Sequence, residues 1–537
     1  MRSASGSTAS AAVVNWPAVL RRAAGAPQLL QPGLLASAIP GHGAYAGILG
    51  QDTLDGVLAA DRTGRLAAVS LGSARTLPAR IASLLTRHRL LVADLPAGAQ
   101  GYAQLRALAA ARPPGELLIV LQRTRQVAGH ELLWAALAGL GGGRTLTSQT
   151  TAQQGLIAAT DLAPTILRHL RLPIPADVRG FPVRTDGAFD GPRLSGLMAR
   201  LLLIDSRRLP ALAWLLLASG ALIALGWGVD AFRPGGGDGA GARSARRAAM
   251  RVGGLAILWA PLAVMVTAAL EPSPVVEYAT IAALCLLLGA LCDRLIPWPR
   301  APLAPAIAVL GALTIDALAG TQLFIRSLLG PNPALGVRFH GIGNELKSGL
   351  AVLVLCAVAA ALHPAVRSPR AALTMALAGI ALAVLEGSAL IGAAVGGVIL
   401  VSAGTAVASL MLLPGALTRR RALIVLASPL LGLLLLAVLD LTLAHGGGHF
   451  TGSILHARSA GDLRDVLVRR YRAAWDELGN GAMPFVTGLA LLAAVLAVRR
   501  RERLLAPVQG DPAWLAALGG GLTAGVVGAL TEDSGPV

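Results

Sequence analysis

Lysine is almost absent from this chain: of 46 basic residues in 537, only Lys347 is not arginine. Charge of any kind is scarce, at 14% of residues against 55% hydrophobic, and mean hydropathy is +0.65. Soluble domains rarely reach such values, so a polytopic membrane protein is expected. The three cysteines, Cys285, Cys292 and Cys356, fall inside apolar runs; they are too few for a disulfide framework and read as packing residues. A net charge of +18 would suit nucleic acid only if arginines clustered with aromatics on one surface, and aromatics make up just 4%. The arginines instead separate apolar runs, which is how membrane topology is written, so the expected partner is the lipid bilayer and not nucleic acid. The opening "MRSASGSTASAAVVNWPAVLRRAAG" lacks a continuous apolar core and does not read as a secretory signal.

Two regions differ in texture. In residues 1–200 short apolar runs alternate with Gly, Pro and charge. Strands are predicted at Arg65–Leu71, Arg89–Leu95 and Glu116–Gln122, with a further candidate in "LLWAALAG", and helices at "ARIASLLTRH" and "GYAQLRALAAAR" between them. Strands alternating with helices argue for a parallel sheet in an α/β layer fold. Residues 201–537 form an all-α polytopic domain of about ten runs, each long enough to cross roughly 30 Å of hydrocarbon. They lie at 209–228, 252–270, 275–292, 302–320, 348–363, 371–386, 389–413, 422–443, 482–498 and 512–530. The odd connections hold most loop arginines, among them Arg294, Arg300, Arg367, Arg370 and Arg419–Arg421, and so are expected to face the cytoplasm. The N-terminal domain and the C-terminus are then both extracytoplasmic.

On that topology several polar residues share the outer side. Asp316, Glu345, Glu386, Asp440, Glu532 and Asp533 supply carboxylates; Arg326, Arg338, His340 and His449 face them, with Asn344 beside Glu345. Ionisable groups at a membrane are costly and default to a functional hypothesis, here a polar vestibule for a charged headgroup or a sugar-phosphate. Ordinary snorkelling helix ends are the alternative for any one of them. "GVRFHGIGNELKSG" carries the densest signal: a tight turn feeding a helix whose first turn holds Glu345 and whose amides can meet an anion. His445 and His449 are spaced i, i+4, but the intervening "GGG" argues against a helical metal site, and no metal is expected. Further on, "DLRDVLVRRYRAAWDEL" is amphipathic and can lie on the membrane surface or pack over the vestibule.

The segments "LTSQTTAQQG" and "GLIAATDLAPTILRHLRLPIPADVRGFPV" (Gly155 to Val183) resemble the closing part of alkaline-phosphatase-superfamily domains. The membrane half resembles bacterial polytopic proteins that carry such a domain outside the cell, through "DALAGTQLFIRSLLGPNPALGVRFHGIGNE", "EGSALIGAAVGG", "LDLTLAHGGGHFTG" and "GVVGALTEDSG". The resemblance implies an α/β alkaline-phosphatase-like domain, partial and extracytoplasmic, in a bacterial cell membrane. Active members hold two metals, commonly zinc, through Asp and His ligands beside a nucleophile. Here Asp94 stands at the expected strand end, but Tyr102 replaces a Gly-His and "IVLQRTRQ" replaces the usual "SDHG". A catalytically degenerate domain is therefore expected, with no cofactor unless a longer form is active. The first residues resemble a segment that in relatives follows an export span and a metal-binding strand, so an upstream start is expected. The implied partner is a lipid-linked glycan or another phosphate-bearing envelope component. The other readings are a metal-dependent phosphohydrolase or phosphotransferase whose catalytic part lies upstream, and a structural envelope scaffold.

Overall fold

A computed structural model describes residues 9–26, 30–123, 131–231, 240–320, 322–335, 339–388, 392, 394–415, 418–443 and 511–531, with isolated residues between 468 and 510. The chain is mostly helical, at 63%. It divides into two compact units, one built on residues up to Gly191 and one on residues from Pro192.

The first unit centres on a four-stranded sheet of order β1-β3-β2-β4: β1 (Ala9–Ala12), β2 (Gly43–Ile48), β3 (Arg65–Gly72) and β4 (Leu90–Ala93). β2 pairs in parallel with β3 and β4, whereas β1 runs antiparallel to β3. Every residue of β2 is buried, as expected for a central strand covered on both faces. Helix α3 (Leu77–Leu85) covers one face with Leu77, Ile81 and Leu84, which pack on Ala44, Ala46 and Ile48. Arg80 staples the strand ends, donating to the carbonyls of Gly47 at 2.9 Å and Ser70 at 2.6 Å. The parallel expectation does not extend further: β5 (Leu118–Leu121) and β6 (Ala135–Ala138) form a separate antiparallel pair, as do β7 (Thr145–Thr147) and β8 (Arg184–Asp186). In the β5–β6 pair Leu118 lies opposite Ala138 and Leu121 opposite Ala135, the register of an antiparallel ladder. The other helices of this unit are α1 (Trp16–Ala24), α2 (Leu34–Ser37), α4 (Gly98–Ala111) and α5 (Leu162–His169). The buried Asp161, just before α5, accepts hydrogen bonds from the backbone N–H groups of Ala158 and Phe181 and from the Thr150 hydroxyl, so its carboxylate ties three segments together.

The second unit is a helical bundle: α6 (Gly191–Ala231), α7 (Ala240–Leu270), α8 (Pro274–Leu295), α9 (Leu303–Leu318), α10 (Asn344–Leu362), α11 (Pro369–Gly387), α12 (Val395–Met411), α13 (Arg419–Leu443) and α14 (Pro512–Thr531). Seven of these are long and apolar enough to cross a membrane among the described residues. The predicted runs at 302–320 and 389–413 form shorter apolar helices, α9 and α12, and 482–498 lies mostly outside the described residues. α12 starts at Val395 and not at 389: just before it the Ala394 N–H donates to the Glu386 carbonyl of α11 at 2.9 Å, and the Gly392 N–H to that of Ser388 at 3.0 Å. Small residues allow α12 and α14 close approach: a Cβ on Gly404 would sit 2.6 Å from the Gly520 carbonyl oxygen, and one on Gly520 equally close to that of Gly404. α13 lies at the other extreme, with Leu426 and Leu430 at least 70% exposed, as suits a helix surrounded by lipid.

Candidate functional site

The longest helix, α6, begins well before the predicted first span and carries Arg193, Arg200 and Arg207 at seven-residue intervals, with Arg208 adjacent. A seven-residue repeat keeps side chains on one helical face, so this arginine row addresses one set of neighbours. Glu277, fully buried in the first turn of α8, receives two of them. Arg200 reaches its two carboxylate oxygens at 2.6 and 3.2 Å, and Arg207 adds a contact at 2.8 Å. Arg208 bonds the Glu345 carboxylate in the first turn of α10. Arg326 pairs with Glu271 at 2.8 Å.

These same arginines hold the segment between α9 and α10, which is not a regular helix yet is largely buried. Arg200 Nε donates to the Arg326 carbonyl at 2.9 Å; Arg208 donates to the carbonyls of Leu328 at 2.8 Å and Gly330 at 3.2 Å. Backbone acceptors that a helix would satisfy internally are satisfied here by guanidinium groups, which resolves the cost of irregular backbone inside a membrane bundle. Asp316 works from the other side: its two oxygens accept from the N–H groups of Leu323 at 2.8 Å and Phe324 at 2.9 Å, capping the turn that follows α9. The segment then closes onto α10, where a Cβ on Gly343 would lie 2.9 Å from the Leu329 carbonyl oxygen and 3.0 Å from that of Gly330. Ile342 N–H donates at 2.9 Å to the Gly392 carbonyl in the turn between α11 and α12. A continuous polar belt thus joins α6, the α7–α8 turn, the α9–α10 segment and the α11–α12 turn at one end of the bundle.

Of the residues singled out in sequence, Asp316, Arg326 and Glu345 belong to this belt. Asn344 accepts from the buried Lys347 ammonium at 2.7 Å, one turn into α10. His340 is buried in the α9–α10 segment. Glu386 is buried at the end of α11 with its Oε2 against the first turn of α12, where a Cβ on Gly397 would be 2.2 Å away. A carboxylate beside a helix N-terminus is favourably placed. Asp440 is buried on α13. Arg338, His449, Glu532 and Asp533 lie outside the described residues, as does nearly all of the amphipathic stretch after His449. Sequence reading did not single out Arg200, Arg207, Arg208, Glu271 or Glu277. The available signal was the arginine spacing on a helix that continues directly into an apolar run.

Two side chains in the belt's segment are unmatched. Among the described residues, the buried Asn332 amide has neither its nitrogen nor its oxygen hydrogen-bonded, and the fully buried Ser327 hydroxyl also has no partner. Buried polar groups are nearly always satisfied, so each of these marks a place in the segment where a polar ligand or ordered water belongs.

The first unit has its own charged cluster beside the carboxyl ends of its parallel strands. Tyr45 of β2 donates to Asp94, just beyond β4, while Arg123 pairs with Asp52 and, at 3.3 Å, with Asp55. Burial, then its hydrogen bond to the Asp94 carboxylate, pushes the Tyr45 phenol far above its ordinary range. Asp94 is likewise raised, chiefly by burial, whereas the Arg123 hydrogen bond holds Asp52 below the usual carboxylate range. Tyr102, where the family resemblance would place a histidine, is exposed on α4. Among the described residues no three His, Cys, Asp or Glu side chains converge as a metal-ligating group. No family model matches the chain, and no curated protein or solved structure matches it either.

Proposed function

We propose that this chain is a multi-pass membrane protein that binds, and moves or presents, the polar headgroup of an envelope lipid at the belt end of its helical unit. The observation that carries this reading is the buried, irregular α9–α10 segment, clamped by Arg200 and Arg208 while Asn332 and Ser327 remain unmatched. Non-helical backbone at membrane depth is tolerated where it is packed in protein or lines a polar cavity, and transporter sites are commonly built from interrupted helices. The headgroup is of the phosphate- or glycan-bearing kind, and the belt end is the extracytoplasmic one. The first unit is read as a catalytically degenerate alkaline-phosphatase-like domain that assists capture without turnover. Three parallel strands with charge at their carboxyl ends support the layer architecture of that reading, and Tyr102 and "IVLQRTRQ" support degeneracy.

The test is lipid retention by the full chain in nanodiscs containing either phosphatidic acid or a glucosyl-diacylglycerol in a phosphatidylcholine background. Asn332→Ala combined with Ser327→Ala is expected to reduce retention of one of these lipids about tenfold, the effect of removing hydrogen bonds made in a desolvated site. Neither lipid enriched over phosphatidylcholine, in wild type or variant, would favour a structural scaffold and overturn the proposal.

A further inference from the structure

The opposite end of the helical unit holds a different feature. His363, at the end of α10, bonds Asp511 at the start of α14, and Trp298 from the α8–α9 turn stacks on Trp514 with ring centroids 5.9 Å apart. These contacts gather the α8–α9 turn, the α10–α11 turn and the N-terminus of α14 at one end. Between α10 and α11 lies an open cavity of about 240 Å³. Its apolar wall includes Leu362, Ala365 and Val366, and its polar wall comprises Ser368, Arg370 and Thr374.

Three properties of this cavity point to one kind of occupant. No acidic residue occurs between Leu362 and Thr374, whereas Arg367 and Arg370 both do, and the one carboxylate that reaches this turn, Asp511, bonds His363 and not either arginine among the described residues. Arg370 is exposed, and among the described residues its guanidinium makes no hydrogen bond or ion pair, unlike the arginines of the belt, which are matched to carboxylates. Val366 is 78% exposed beside them, an apolar side chain at the end of a membrane-spanning helix pair where acyl chains begin. The Ser368 hydroxyl accepts from the Ala371 N–H at 3.2 Å and keeps its own proton to donate, whereas Thr374 donates to the Arg370 carbonyl at 3.1 Å, so a guanidinium that presents a planar fork, one donor hydroxyl beside it and an apolar wall suit a phosphodiester joined to acyl chains.

We infer that the α10–α11 cavity is a binding site for an anionic phospholipid, with Arg370 on the phosphate, the Ser368 hydroxyl donating to it, and Val366 among the acyl chains. The site lies at the other end of the bundle from the polar belt and does not depend on the function proposed for that belt. It would hold a resident lipid that fixes the depth of the α10–α11 hairpin in the bilayer.

The experiment reconstitutes the full chain in nanodiscs of phosphatidylcholine with a minor fraction of phosphatidylglycerol and counts retained phosphatidylglycerol by native mass spectrometry. Arg370→Gln is expected to lower retention about fivefold, the factor that corresponds to about 1 kcal/mol for one arginine near an anionic surface. Arg300→Gln, an exposed arginine of the same end outside the cavity, is the comparison and is expected to leave retention unchanged. Arg370 is exposed and unpaired, so its substitution should leave the melting temperature in place, which confirms that loss of lipid is not loss of fold. Unaltered retention in Arg370→Gln would overturn the site. Equal loss in both variants would reassign the effect to diffuse surface charge, and competition by millimolar inorganic phosphate would reassign the cavity to a free anion.

Discussion

Glu277 is the residue on which the belt turns. It is fully buried and receives Arg200 and Arg207, and a buried pair loses far more when one partner is removed than it contributes when intact. Glu277→Gln is expected to destabilise the helical unit by about 3–5 kcal/mol because two guanidinium groups lose their counter-charge. Denaturant unfolding of the full chain in micelles measures this; a cost below about 1 kcal/mol would mean that water reaches the pair. Sequence reading found Asp316, Arg326, Asn344 and Glu345 because each stands beside an apolar run, where ionisable groups are conspicuous. It passed over Glu277 and the α6 arginines because their partners lie 70 or more residues away, as Arg200 and Glu277 do. Asn332 was equally silent: an asparagine between two prolines reads as an ordinary turn, and only burial makes its amide notable.

Among elements, the strands that were legible are those rich in Val, Leu and Ile, such as β3, β4 and β5. Central β2, "GAYAGI", was not, because small residues carry little strand propensity and its identity comes from being covered on both faces. Helices were legible from apolar length, but their interruptions were not. The turn before α12 depends on Gly392 and Gly397, where a Cβ would meet Glu386 at 2.0 and 2.2 Å respectively. Close helix contact was also hidden in composition that merely looks glycine-rich. Gly404→Leu is expected to force α12 from α14 and cost about 1–3 kcal/mol, read as a lowered melting temperature of the chain in micelles. No change would show that the helices can separate locally without loss.

For the whole molecule, the prediction concerns sidedness. Single cysteines placed at Gly320, beside the belt, and at Arg367, beside the lipid cavity, are expected to react with an impermeant maleimide from opposite sides of a sealed vesicle, Gly320 from outside the cell. Cys285 and Cys292 are buried and Cys356 is half-buried, Cys292 donates to the Ala301 carbonyl, and none is in a disulfide, so a background without the three is a conservative one. Labelling of both positions from one side would overturn the crossing of α10 between them. The amino-acid sequence by itself determined that this chain is built of repeated membrane-length apolar helices after a region of mixed strands and helices, because hydrophobic length and periodicity are local properties. Only the tertiary structure decided that α6 supplies the arginines, that Glu277 and Glu345 receive them, and that the α9–α10 segment is buried without being helical. Those outcomes depend on which distant charges are brought within hydrogen-bond reach once water is excluded, and no local pattern encodes that distance.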